Sequence, residues 1–198
     1  QNIKINRFSA INGNQLNSNQ IEQYCSKRFI SKMKSHGYYS KGSIGCYLSH
    51  LNLWKKIVRD NIDQALIIED DIVFELNFKH KLNSFLKQVP NDWDIIYLGI
   101  TRPCGNRISK NILKVKNNCK NKNGGTFGYI VNKKSASKLI SLCNKPIDKM
   151  IDHTIRQYFD NLNIYITNPL IINHNYEIDS IRKKNNYHYK YIEAANTI

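Results

Sequence analysis

The chain has 198 residues, 41% of them hydrophobic, which suits one globular domain with a sizeable core and leaves no apolar run long enough to span a bilayer. Thirty Lys and Arg against fifteen Asp and Glu give a net charge of +15, a field that draws anions; yet the basic residues are scattered, Lys, Asn and Ile are over-used together, and no zinc finger, RNA-recognition motif or basic zipper appears, so no specific nucleic-acid partner is expected. Five cysteines without a C-x-x-C pair exclude a zinc knuckle and a dense disulfide framework, leaving reduced thiols as the expectation and one bridge, such as Cys104 to Cys119, open.

Gln1 to Arg7 contains no hydrophobic run, so no secretory signal is expected within these residues. Asn17 or Ser18 caps a helix predicted to reach about Ser35, with Ile21, Tyr24, Phe29 and Met33 among its apolar positions. Gly37 to Gly42 reads as a turn. A second helix is predicted from Ser43 to Val58, because Ile44, Leu48, Leu51 and Trp54 recur at a spacing that buries one face. Gly45 is expected to let that helix approach the sheet closely. Ser49 and His50 are adjacent on it and point about 100° apart, so they cannot form a nucleophile-base pair.

The strand Ala65 to Glu69 runs into three consecutive carboxylates, Glu69, Asp70 and Asp71. Acids at the carboxyl end of a buried strand project into the crevice where α/β sheets bind ligands. If strand alternation continues, Glu69 and Asp71 fall on one side, the spacing needed to hold a hard cation against a diphosphate. The alternative, a solvated acidic turn, fits less well in a chain otherwise poor in acid. Phe78 to Leu86 reads as helix and Asp94 to Leu98 as strand, with Gly99 ending it. Arg102 to Gly125 is polar, basic and punctuated by glycine, with only Ile112 to Val115 strand-like, and is the predicted mobile loop. Thr126 to Val131 is a strand leading into an Asn132-capped helix through Leu142. Asp148 to Phe159 is a further helix, and Ile164 to Ile166 and Leu170 to Ile172 are short strands. Trp54 and Trp93 sit among apolar residues and read as core. Strands alternating with helices predict an α/β sandwich.

Two basic or metal-binding candidates lie near the C-terminus. His174 either gives an imidazole ligand to the cation at the acidic segment or is a surface histidine. Arg182, Lys183 and Lys184 either close over a diphosphate or form a solvated charge run.

Several blocks, in order, resemble one family, the family 25 glycosyltransferases. Arg7 to Gly13 is similar to its R-F-x-A-x-x-G block, Gly42 to His50 to its G-x-I-G-C-x-x-S-H signature, and the acidic segment to its L-I-x-E-D-D motif. Asp94 to Gly99 and Gly125 to Tyr129 match later blocks, and Pro146 to Asp152 loosely resembles a helix start carrying a further Asp. Members usually begin with an I-N-L-x-R-x-x-R strand, which nothing before Arg7 supplies in full. The expectation is therefore one glycosyltransferase domain over residues 1–198 that lacks or has altered the family's first strand.

The resemblance implies a GT-A type fold, a Rossmann-like mixed sheet with helices on both faces. It implies transfer of a hexose, with inversion, from UDP-galactose or UDP-glucose to a hydroxyl on a glycan or on collagen-like hydroxylysine. Leaving diphosphate gains charge in the transition state, so Mn²⁺ or Mg²⁺ on oxygen ligands is expected. Asp71 is assigned to that ion first and Glu69 second, with Asp70 on ribose or sugar hydroxyls and Ser49 and His50 beneath the donor. Asp152 is the candidate base for the acceptor hydroxyl, with Asp148 the alternative base or a helix cap. A domain that keeps this fold but binds glycan or nucleotide-sugar without turnover is one competing reading, and a basic nucleic-acid-binding protein is a further one.

Overall fold

The computed structural model of the protein describes residues 3, 5–37, 39–119 and 121–175. In chain order its elements are α1 (Ser18–Tyr24), α2 (Lys27–Met33), α3 (Lys41–Arg59), β1 (Gln64–Ile68), β2 (Ile72–Phe74), α4 (Phe78–Leu86), β3 (Ile95–Thr101), β4 (Asn106–Ser109), β5 (Ile112–Lys114), β6 (Gly124–Asn132), α5 (Lys133–Cys143), α6 (Ile151–Arg156), β7 (Ile164–Thr167) and β8 (Ile172–His174). Six strands form one mixed sheet in the order β1-β6-β3-β7-β5-β4, and β2 and β8 form a separate antiparallel pair. Among the described strands only β3 and β7 run parallel. Among the described residues no helix is long and apolar enough to cross a membrane.

The sheet separates two apolar clusters, and strand alternation assigns residues to each. Ile95 and Tyr97 of β3 and Tyr129 and Val131 of β6 join Trp54, Leu139 and Ile155 under α3, α5 and α6. Ile96, Leu98 and Ile130 face the other way, onto Phe78 and Phe85 of α4 and Ile172 of β8. The chain is thus a mixed α/β fold with helices on both faces of its sheet, as expected.

Five local expectations are corrected. The first predicted helix is two, because the chain turns outward at Cys25: Ser26 N–H donates to Ile147 O, Ile147 N–H donates to Tyr24 O, and the Ser26 hydroxyl accepts from Phe29 N–H as the cap of α2. Gly99 does not end β3. The pairing with β6 shifts register on either side of it, and a Cβ there would meet the Phe127 ring at 2.6 Å and Ile172 O at 2.8 Å, so the glycine lets two elements lie over the strand. The helix expected from Asp148 begins only at Ile151 and has no side-chain cap.

Most clearly, Arg102 to Gly125 is structured where a mobile loop was expected. β4 and β5 form a hairpin that extends the sheet through β7, and a Cys104–Cys119 disulfide closes its base. Beside that bond, Asn123 accepts from Cys104 N–H at 2.6 Å and donates to Cys104 O at 2.9 Å. Polar composition concealed the hairpin because its strands are three and four residues long and lie toward the sheet edge, where only part of each needs to be apolar.

Gly45 makes a close approach, though to the N-terminal segment rather than to the sheet. A Cβ on it would lie 2.4 Å from Ile11 O and 2.8 Å from Gly13 N. The same contact is fastened by Ser49, whose hydroxyl accepts from Ile11 N–H at 2.8 Å and donates to Gly45 O at 2.7 Å. Gly45→Ala should therefore destabilise the protein by about 1–3 kcal/mol, overpacking outweighing the gain of roughly 1 kcal/mol in helix propensity. Chemical denaturation monitored by circular dichroism measures it, and an unchanged or higher midpoint would show that the segment yields freely.

Candidate active site at the acidic turn

The turn from Glu69 to Asp71 lies between β1 and β2, and each neighbouring strand positions one acid. Glu69 N–H donates to Phe127 O at 3.1 Å, which carries the β1–β6 pairing one residue past the strand. Its carboxylate then accepts from the Thr126 hydroxyl at 3.0 Å and lies 3.5 Å from His50 Nε2. Asp70 is exposed at the apex of the turn. Asp71 stands at the head of β2, which pairs with β8 so that Ile72 faces His174.

That pairing brings Asp71 and His174 together. His174 Nε2 is 3.0 Å from Asp71 Oδ2, and Asn175 N–H donates to Asp71 O at 2.7 Å. Asp71 Oδ1 is buried with no hydrogen-bond partner among the described residues. A buried carboxylate oxygen left in this state costs free energy unless something positive meets it. Burial pushes the Asp71 carboxyl above its ordinary range; His174 opposes the rise, and the charges of Glu69 and Asp70 add to it. The sequence presented His174 as either ligand or surface residue; its side chain is mostly buried and on the acid. The Asp71 carboxylate and the His174 imidazole form a donor set of the kind Mn²⁺ takes.

His50 reaches the site from α3. The Tyr129 hydroxyl accepts the Trp54 indole N–H at 3.0 Å and lies 2.8 Å from His50 Nδ1, so the opposite ring nitrogen is turned toward Glu69. Burial alone would push this imidazole down, but hydrogen bonds to Cys46 and Glu69 and the charges of both outweigh it and hold it up at about 9. Ser49, one residue earlier, faces Ile11 instead. The two residues diverge as helical geometry requires, and Trp54 is fully buried, the core anchor its surroundings indicated.

Asp152 reaches the start of β6 from α6. Its Oδ2 accepts from Gly125 N–H at 3.0 Å, and a Cβ on Gly124 would come within 3.6 Å of the same oxygen. Gly125 adopts φ +82°, a left-handed backbone that favours glycine. Arg156, one turn along α6, is half-buried: burial pushes its guanidinium down, Asp152 acts in the opposite sense, and Arg102 adds to the fall. Asp148 does not join this group. It accepts from the Ser26 hydroxyl at 2.7 Å and lies 3.7 Å from Arg28, fastening the start of α2 rather than capping α6. Arg182, Lys183 and Lys184 lie outside the described residues.

Sequence reasoning overlooked Thr126 and Tyr129 as partners of the acidic turn, and β2 as an element. Thr126 and Tyr129 stood inside a quoted block, and their pairing opposite β1 was the missing information. Cys46 carried a signal, since it precedes His50 by four residues and so shares its helix face.

The sequence matches Glycosyltransferase family 25 (LPS biosynthesis protein) over residues 1–155. Procollagen galactosyltransferase 1 of Danio rerio is 30% identical over 87% of this chain and 32% of its own length. Procollagen galactosyltransferase 1-A of Xenopus laevis is 32% identical over 72% of the chain and 24% of its own length. A shorter match, 41% identical over 30% of the chain and 11% of the relative, is to the probable inactive glycosyltransferase 25 family member 3 of Bos taurus. The chain thus spans a third or less of the curated relatives it matches. With a family match that takes in the acidic turn, α3, β6 and Asp152 together, the chain belongs to glycosyltransferase family 25.

Proposed function

We propose that this domain transfers a hexose, galactose or glucose, from a UDP-sugar to an acceptor hydroxyl with inversion, and that Asp71 and His174, beside Glu69, hold Mn²⁺ or Mg²⁺ for the donor diphosphate. The observation that carries this reading is the Asp71–His174 pair, in which Asp71 Oδ1 is buried with no hydrogen-bond partner among the described residues. The names of the relatives favour galactose as the sugar and a collagen-like hydroxyl as the acceptor; a glycan hydroxyl presents the same nucleophile.

When bound, the ion neutralises charge that develops on the departing diphosphate. The chain's own groups supply the rest. Thr126 and His50 fix one oxygen of Glu69, so the acid is oriented before any ligand arrives and needs no reorganisation at the moment of reaction. Asp70, exposed at the apex, is available to ribose or sugar hydroxyls. Asp152, aimed by Gly125 N–H, accepts the proton of the acceptor hydroxyl as oxygen attacks the anomeric carbon. Asp148 is less suited to that role because Ser26 and Arg28 already engage it. Gly124 and Gly125 place no side chain against Asp152, where a Cβ on Gly124 would stand 3.6 Å from its Oδ2.

The short match to a relative named as probably inactive supports a second reading, a domain that binds nucleotide-sugar without turnover. Calorimetric titration of UDP, UDP-galactose and UDP-glucose, with and without Mn²⁺, followed by a hydrolysis and transfer assay, separates the two. Metal-dependent binding with turnover is the expected result, metal-dependent binding alone supports the silent domain, and binding equal with and without Mn²⁺ overturns the cation assignment.

Two substitutions test the residues. Asp71→Ala should weaken Mn²⁺-dependent UDP binding by more than the roughly 10–100-fold that loss of an outer-layer partner costs at a metal site; unchanged titrations would remove Asp71 from the site. Asp152→Asn should leave UDP affinity intact and lower kcat by roughly 10²–10⁴, the contribution of a positioned base. Wild-type kcat in that variant would assign the proton to another group.

A further inference from the structure

Among the described residues, Cys46, His50 and Glu69 form a compact group whose ligand atoms all lie within 4.8 Å of one another. Cys46 and His50 are one turn apart on α3 and present their side chains to the same side; Glu69 meets them from the end of β1. This donor set differs in kind from the one at Asp71. Thiolate and imidazole select soft or borderline ions, whereas Mg²⁺ and Mn²⁺ prefer oxygen.

We propose that Cys46, His50 and Glu69 bind a thiophilic divalent cation, zinc in the first instance, at a site separate from the Asp71–His174 pair. Bonds of about 2.3 Å to sulfur and 2.0 Å to nitrogen and oxygen put tetrahedral ligands roughly 3.5 Å apart. His50 Nε2 and Glu69 Oε1 already stand at 3.5 Å, so closure requires mainly the Cys46 side chain to move in from within the 4.8 Å that bounds the group. The imidazole coordinates through Nε2, and Nδ1 remains on the Tyr129 hydroxyl, the kind of oriented second contact that zinc-bound histidines keep. Coordination displaces two protons to solvent, that of the Cys46 thiol and the one on His50 Nε2, and water completes the fourth position. Cys46 is partly exposed, which gives the ion a path, and His50 beneath it is buried.

The other two free thiols, Cys25 and Cys143, are buried and lie outside this group, so sulfur ligation here is traceable to one residue. Titrating the full chain with Co²⁺ as a spectroscopic stand-in should produce a saturable sulfur-to-cobalt charge-transfer band with tetrahedral visible bands, abolished by an equivalent of Zn²⁺ and absent in Cys46→Ser. A second measurement needs no variant. Alkylation of Cys46, followed by peptide mass spectrometry, should slow about tenfold at free Zn²⁺ ten times the dissociation constant, since mass action then leaves about a tenth of the thiol unligated. Mn²⁺ at the same concentration should not protect it. Absence of the band in wild type, its persistence in Cys46→Ser, or alkylation indifferent to Zn²⁺ would overturn the proposal. None of these readouts involves sugar transfer, so they stand or fall apart from the proposed activity.

Discussion

One buried oxygen, the Tyr129 hydroxyl, fixes how the long helix sits on the sheet. It belongs to β6, which runs antiparallel to both its neighbours, and meets the Trp54 indole from one turn of α3 and His50 from the turn before. Two directional contacts to one atom set both the rotation and the height of the helix, which apolar packing alone leaves loosely determined. With that orientation set, His50 can only turn its second nitrogen toward the acidic turn. Ser49, on a different face of the same helix, simultaneously grips Ile11. A single helix therefore joins the N-terminal segment, the core and the acids.

The acids themselves are split between two frameworks. Glu69 continues the pairing of the main sheet, while Asp71 opens the small β2–β8 pair. Each carboxylate thus inherits the rigidity of a different sheet, and the one intervening residue, Asp70, is exposed. A site assembled at such a junction can hold groups of different affinity close together: an imidazole, thiol and hydroxyl around Glu69, and an imidazole with an open oxygen around Asp71.

What the sequence disclosed was whatever had a local period or a contiguous motif. The apolar recurrence of α3, the cap at Asn132, the helix Phe78–Leu86 and the run Ala65 to Asp71 all carry their signal within a few residues. The chain remained silent where the deciding partner was distant. Three residues of β2 have no readable period, and their partner lies about 100 residues on; the division of α1 from α2 depends on Ile147; Asp148 is directed to Ser26 rather than to the helix beside it. His174 could be raised as a ligand but not decided, because only the β2–β8 register places it on Asp71. The hairpin over Arg102 to Gly125 was misread for a related reason, since its order comes from a covalent link and from edge pairing rather than from apolar content.

The closed base of that hairpin has a consequence for how such a domain can diversify. Cys104 and Cys119 stand 5.5 Å apart between their Cα atoms, and Asn123 binds Cys104 on both its backbone groups, so the excursion leaves and rejoins the scaffold at a fixed gap. Thr101 and Gly124, joined by a hydroxyl-to-carbonyl contact just inside that gap, are shielded from changes in the segment beyond it. Length and charge at the exposed outer part of the hairpin, residues 106–110, can then drift while the floor next to Asp152 stays in place, because loop length adds little to the entropy of a closure already made; Ile112 and Val115, buried in the two cores, keep β5 on the scaffold. The outer strand and turn of the hairpin are in this sense a replaceable rim, where selection can explore new surfaces without touching the chemistry.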